Sequence, residues 1–230
     1  MLHFGSTRRE LLARWLPAGV IGLLGWGVDP LALMAMGMQS LPDGVHTAEG
    51  LVTVNDQPVN AGAPVASGDL IGTGPDSRAV VVLDRAVYLV RAQTRLVVTV
   101  GGKDSAVRAA IRVLNGRLLS VFGGAQHRVT TRTAVIGIRG SGLYISTDAQ
   151  RTYACTCYGT SRIQAADDPG IEETVRTRHH EAPRFIYGPG HPQRITPAPV
   201  IDHTDAELIM LEALVGRKPP FMDSPSGYKY

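Results

Sequence analysis

Residues 133–159, TAVIGIRGSGLYISTDAQRTYACTCYG, contain the clearest strand pattern of the chain and its only two cysteines. Apolar residues at 134, 136 and 138 alternate with their neighbours, which is the two-residue period of a strand buried on at least one face. Gly140 and Gly142 interrupt the run, and apolar residues resume at 143–145. Because glycine permits positive φ angles and close backbone approach, this break predicts a turn between two strands or a bulge.

The composition of the 230-residue chain favours an all-β body, because its 26 glycines and 15 prolines mark many turns and long helical patterns are few. A net charge of +3 is too small and too evenly spread to predict binding to nucleic acid. Two cysteines are too few for a disulfide framework. The sequence contains no phosphate-binding loop, nucleophile elbow or HExxH pair, so we expect no enzymatic activity.

Short apolar segments separated by turns follow one another from residue 51 onward. Asn55-Asp56 suits a tight hairpin between segments 51–54 and 57–59. Asn115-Gly116 predicts another hairpin, between 107–114 and the apolar run that follows. The remaining strands are predicted at 69–73, 78–83, 87–90 and 94–100. Strands at this spacing predict a sandwich, jelly roll or barrel.

Three motifs of this body, in order, resemble the FecR domain, a periplasmic β-domain of bacterial envelope-signalling proteins. They are residues 65–79 (VASGDLIGTGPDSRA), residues 115–121 (NGRLLSV) and the Arg-Gly-Ser turn at 139–141 after an apolar strand. The resemblance covers about residues 45–165 and implies a jelly-roll-like β-sandwich that senses or relays signals by contact with an envelope protein partner. The segment before it is too short for the cytoplasmic domain through which FecR proteins handle a sigma factor, so we expect an adaptor or ligand-binding role.

Residues 1–37 have the layout of a twin-arginine export signal. Arg8-Arg9 precede an apolar, glycine-rich run at 13–28, and small residues at 35–37 suit a cleavage site. An arginine and a proline within the run favour export over a membrane anchor. We therefore predict a periplasmic protein that touches the membrane only through an uncleaved signal segment, if at all. Twin-arginine export moves chains that are already folded, often with a cofactor aboard.

Cys155 and Cys157 point the same way, because residues two apart in a strand share a face. Their α-carbons would lie roughly 6.5–7 Å apart, at or beyond the limit for a relaxed disulfide. Three interpretations stay open: two buried, inert thiols, a strained disulfide in an oxidising compartment, or half of a tetrahedral Cys2His2 site for zinc or another soft transition metal.

Histidines of the C-terminal region would supply the other half of such a site. His179 and His180 would face opposite ways on a strand, and His180 is preferred because the chain must turn directly after it. His203 is the second candidate, and His191 is a weaker one. FecR domains carry no Cys-x-Cys pair, so the site would distinguish this chain from them. The predicted metal ligands are Cys155, Cys157, His180 and His203.

Residues 166–230 are predicted to form a C-terminal extension. A strong turn at Asp167–Gly170 marks the boundary, and one more strand is expected at 184–187. Thr204-x-x-Glu207 is a capping box that predicts a helix over 204–215. Its apolar stripe is expected to pack on the β-body, with partner binding as the alternative. The predicted fold is thus an all-β, jelly-roll-like sandwich whose C-terminal extension contains one α-helix.

Overall fold

The computed structural model describes residues 41–102 and 104–223, so the predicted export signal lies outside the described residues. The described part of the chain contains fourteen strands, one α-helix and one 3-10 helix at Pro220–Asp223. The predicted all-β class with a C-terminal helix is therefore confirmed. The strands are β1 (Gly44–Glu49), β2 (Val52–Val54), β3 (Gln57–Pro58), β4 (Leu70–Thr73), β5 (Arg78–Leu83), β6 (Ala86–Val90), β7 (Arg95–Val100), β8 (Ala109–Val121), β9 (Gln126–Thr130), β10 (Ala134–Thr147), β11 (Arg151–Ala165), β12 (Glu172–Thr177), β13 (Arg184–Tyr187) and β14 (Ile195–Pro197). The helix, α1, spans Asp205–Ala213.

All fourteen strands belong to one sheet. The first half of β8 pairs with β7 and β9, whereas its second half pairs with β6 and β10. The sheet therefore divides into two branches at its long central strands. Apolar side chains from both branches form a common inner core. Beyond residue 165 the sheet continues, because β12 and β13 both pair with β11.

Glycine-marked breaks interrupt two strands without ending them. β10 continues past Gly140 and Gly142 with register shifts at that point, which confirms the bulge interpretation of this break. The predicted hairpin at Asn115-Gly116 is wrong, because β8 also continues as one strand. Gly116 has a φ of +99°, and a side chain there would collide with Thr94. The Thr94 hydroxyl instead accepts from the amide of Arg117, so the chain bends around it and does not reverse.

The predicted hairpin at Asn55-Asp56 is confirmed. These two residues have φ angles of 52° and 62° and connect β2 to β3, which pair antiparallel. Asparagine and aspartate tolerate this left-handed backbone better than most residues. The two turn residues therefore suit the antiparallel pairing of β2 with β3, as a two-residue hairpin requires.

The second face of the β5, β6, β8, β10 and β11 branch carries another apolar cluster, which we call the outer core. A row of paired residues crosses it, one from each strand: Val80, Leu89, Leu119, Tyr144 and Cys155. Helix α1 covers this row with Leu208 and Leu211, which are fully buried. Burying each such side chain contributes about 1.5–3 kcal/mol. The apolar stripe of the helix therefore packs on the β-body.

The ends of α1 follow the predicted signals. Thr204 is the N-cap, and the reciprocal bonds of the capping box with Glu207 are both present. Gly216, at a φ of +69°, lies just beyond the C-cap Leu214. None of the helices among the described residues is long and apolar enough to span a membrane.

Candidate metal centre

Three separate segments bring the four predicted ligands together at the edge of the outer core. β11 contributes both cysteines, whose side chains are fully buried. His180 lies in the connection between β12 and β13, at a φ of 53°, and its amide donates to the Cys157 carbonyl at 2.9 Å. His203 directly precedes the N-cap of α1. The two histidines are also buried.

The four ligand atoms lie close enough together for one metal ion to bind all of them. All of them lie within 4.8 Å of one another. The Cys155 Sγ is 3.4 Å from the His180 Nδ1, which in turn is 3.0 Å from the His203 Nε2. Zinc bonds of about 2.3 Å to sulfur and about 2.0–2.1 Å to nitrogen imply ligand separations of roughly 3.3–3.8 Å around a regular tetrahedron. Only small side-chain movements separate the observed arrangement from that geometry.

The outward nitrogens of both imidazoles have acceptors. The Nε2 of His180 lies 3.1 Å from a carboxylate oxygen of Asp205, and the Nδ1 of His203 lies 2.6 Å from the carbonyl of Ile201. When these nitrogens donate, the inward nitrogens present lone pairs to each other across 3.0 Å. A proton or a cation must then lie between them. Metal-binding histidines typically have such outer acceptors, which fix the tautomer and the ring orientation.

The electrostatics of the cluster favour a thiolate at Cys155. Its pKa falls to about 4, because hydrogen bonds from Cys157, His180 and His203 outweigh the effect of burial. Burial would lower the pKa of His180, but the Cys155 thiolate and the Asp205 carboxylate raise it. Burial raises the pKa of Cys157 well above its usual value. A metal ion would replace the shared protons and allow both sulfur atoms to bind as thiolates.

Two neighbours of the cluster, Asp205 and Tyr144, were not predicted as site residues. Asp205 also accepts from the His179 Nε2, at 2.7 and 2.8 Å. The Tyr144 ring stacks on His203 with a centroid distance of 4.7 Å. Acids in the first turn of a helix usually stabilise the helix dipole, so the position of Asp205 alone did not indicate a site. The weaker candidate His191 is exposed and stacks on Tyr187 instead.

Cys155, His180 and Asp205 also form the chain of contacts found around cysteine nucleophiles, in which a base lies between a thiol and a carboxylate. Two observations disfavour that chemistry. Cys155 has no exposed surface, so its sulfur is closed to substrates in this structure. The His203 ring also occupies the space beside the His180 Nδ1, where a substrate would have to approach.

The two other interpretations of the cysteines, a strained disulfide and inert packing, can be compared with the structure. No disulfide joins the two cysteines, and the Cys157 Sγ lies 3.6 Å from the Cys155 carbonyl oxygen. Burial of the thiols agrees with inert packing. Inert packing does not explain why two histidines with oriented outer nitrogens converge on them, since buried polar groups require partners.

Comparisons with known proteins provide little further information. No family model and no curated protein matches the chain. Two crystal structures of a protein described as a "putative anti-sigma factor" from Parabacteroides distasonis are similar to it, with 12% sequence identity and a TM-score of 0.44. The match covers 56% of this chain and 58% of that one, so the chain spans just over half of that protein's length. The resemblance to the FecR domain stays a prediction.

Proposed function

We propose that this protein binds one thiophilic metal ion, with zinc as the first candidate, through Cys155, Cys157, His180 and His203. The observation that carries the proposal is the convergence of four buried ligand atoms within 4.8 Å from three segments of the chain. A tetrahedral site with two sulfur and two nitrogen donors suits zinc, whereas magnesium and calcium prefer oxygen ligands.

The proposed centre is structural and not catalytic. Catalytic zinc sites usually have three protein ligands and leave a fourth position for water or substrate. Here four protein side chains would complete the tetrahedron, and the sulfur atoms are buried. The metal would therefore join β11 to the β12–β13 connection and to the segment before α1.

A second function, compatible with the first, is signal relay by protein contact in the cell envelope. The ordered FecR-like motifs within residues 45–165 and the all-β fold support this proposal. The twin-arginine layout of residues 1–37 supports a periplasmic location. In this view the metal centre belongs to an exported adaptor module, and its partner is another envelope protein.

Metal analysis of the purified full-length protein tests the proposed centre. We expect about one zinc per chain, and a cobalt-substituted sample with the absorption bands of tetrahedral thiolate coordination. Cys155→Ser, Cys157→Ser and His203→Gln should each lose most of the metal. His191→Gln is the matched control, because His191 is exposed, and it should retain the metal. Wild-type protein that takes up neither zinc nor cobalt would refute the proposal.

A further inference from the structure

We infer that the metal ion acts as a latch that holds α1 closed over the outer core, so that loss of the metal opens the C-terminal segment. This inference rests on the proposed metal centre. It makes the site a regulator of one element and not merely a general stabiliser of the fold.

Three consecutive residues connect the centre to the start of the helix. His203 is a ligand, Thr204 is the N-cap, and Asp205 is both the first helical residue and the acceptor for the outer nitrogen of His180. A metal bound by His180 and His203 would therefore fix the position of the first turn of α1 directly. No other residue separates the ligand from the cap.

Helix α1 is short, so it depends on its contacts with the rest of the protein. It has nine residues, and isolated helices of fewer than about 12–15 residues are marginal in water. Its buried face also includes a carboxylate, Glu212, which is 3% exposed. The cost of burying the Glu212 carboxylate is compensated only when Tyr158 and Arg217 donate hydrogen bonds to it. The helix thus requires its docked position, and the docked position includes a group that is costly to bury.

The backbone next to the ligands also requires compensation. His180 and Asp202 both have positive φ angles, of 53° and 58°. Such angles are uncommon outside glycine and persist where surrounding contacts hold them. Arg91 supplies one such contact, donating to the Asp202 carbonyl at 2.6 Å and to Glu207 at 2.9 Å. A metal bond at His203 would add a further contact directly after Asp202.

Opening of α1 would expose an apolar surface. Beneath the helix lie Leu89, Leu119 and Tyr144, which are buried in the closed structure. These side chains belong to strands that are paired on both sides, so the sheet itself can persist without the helix. The inner core lies on the opposite face and does not depend on α1. The expected metal-free state is therefore an intact β-body with an uncovered outer face.

Amide hydrogen exchange of the full-length protein, with zinc and after removal of zinc by EDTA, tests the latch. We expect exchange in residues 203–215 to accelerate at least tenfold after removal, while residues 109–121 of β8 keep their protection. Unchanged exchange at 203–215 in protein shown to have lost its metal would overturn the latch. Simultaneous loss of protection at 109–121 would overturn it as well, because the metal would then support the whole fold.

A variant outside the ligand set provides the reciprocal test. Leu211→Ala weakens the docking of α1 without changing a ligand. It should therefore lower the zinc affinity by the same factor by which it raises the equilibrium constant for opening of α1. Leu114→Ala is the matched control, because Leu114 is 43% exposed and lies away from α1. Equal zinc affinity of both variants and the wild type would overturn the latch. Absence of bound zinc in the wild type would instead refute the proposed centre itself.

Discussion

Asp205 has two roles that can be separated experimentally. It is a first-turn acid of α1, and it holds the outer nitrogen of His180 at 3.1 Å. The first role stabilises the helix by about 0.3–1 kcal/mol through the helix dipole. The second would orient a ligand of the proposed metal centre, and loss of such outer contacts typically lowers metal affinity 10–100-fold.

We therefore predict that Asp205→Asn lowers zinc affinity by about 10–100-fold while every ligand remains present. Competition with a chromogenic chelator measures the affinity. Asp167→Asn is the control, because Asp167 pairs with Arg194 at the surface and should leave the affinity unchanged. The helix-dipole role accounts for at most about 1 kcal/mol, roughly a fivefold change in affinity, so a larger loss reports the contact with His180. An unaltered affinity in Asp205→Asn would show that His180 needs no outer carboxylate.

We expect His127, which lies outside the candidate metal centre, to make stability depend on pH. It is 2% exposed, and burial lowers its pKa, with Arg108 and Arg217 adding to the effect while Asp84 opposes it. The folded state therefore favours the neutral ring, whereas the unfolded chain takes up a proton near pH 6.5. The stability that the protein gains by keeping His127 neutral is therefore fully present above that pH and is lost as the pH falls below it.

We predict that His127→Phe loses less stability than the wild type between pH 7 and pH 5. The free energy of unfolding by urea, measured at each pH in the presence of EDTA, gives the comparison without a contribution from metal. His191→Gln should follow the wild-type curve, since His191 is exposed. Parallel curves for the wild type and His127→Phe would show that His127 is not the titrating group.

Single residues also show how far sequence reasoning reaches. The strand period predicted that Cys155 and Cys157 share a face, and the turn after His180 indicated which of two adjacent histidines lies beside them. Both inferences use local geometry, which the sequence encodes directly. The contact of Asp205 with His180 depends on how α1 docks, 25 residues further along the chain. No local pattern contains that information.

At the scale of elements, β10 shows why a glycine is needed in the middle of a strand. A Cβ at Gly142 would lie 2.7 Å from the Tyr158 ring and 3.0 Å from a methyl group of Leu208. The absence of a side chain at Gly142 thus leaves room both for Tyr158 of β11 and for Leu208 of α1. Gly137 of the same strand has no such constraint, because a Cβ there would lie 4.0 Å from the nearest atom, the carbonyl oxygen of Arg162.

Gly142→Ala should accordingly destabilise the protein by about 1–3 kcal/mol, the usual effect of overpacking a core. Gly137→Ala is the matched control and should change stability by less than about 0.5 kcal/mol, as substitutions without clashes do. Chemical denaturation of the two variants under identical zinc concentrations measures the difference. Equal stabilities would mean that α1 moves away from β10 without cost.

Strand ends were harder to predict than strand faces. The sequence near Asn115-Gly116 has the usual chemistry of a hairpin, yet β8 continues because β7 and β10 pair with it on the two sides of the glycine. Pairing partners distant in sequence decide whether such a glycine reverses the chain or bends it. The capping box of α1, by contrast, is local, and it located the first turn of the helix correctly.

For the molecule as a whole, the export prediction can be tested on its own. Replacement of both arginines, Arg8→Lys with Arg9→Lys, should abolish twin-arginine export, because the paired arginines are the feature that the pathway recognises. Cell fractionation with an antibody to the mature protein locates the product. The variant should accumulate in the cytoplasm, with the wild type in the periplasm. Continued export of the variant by the same route would refute the prediction.

The proposed ligands lie far apart along the chain, and this imposes an order on biosynthesis. His180 follows Cys155 by 25 residues, and His203 follows His180 by another 23. At the roughly 5–20 residues per second of translation, a nascent chain carries both sulfur atoms for several seconds before its last imidazole exists. The proposed metal site can therefore be completed only after residue 203 has been synthesised. If the proposed centre takes up its metal before export, each exported copy also removes one ion from the cytoplasmic pool.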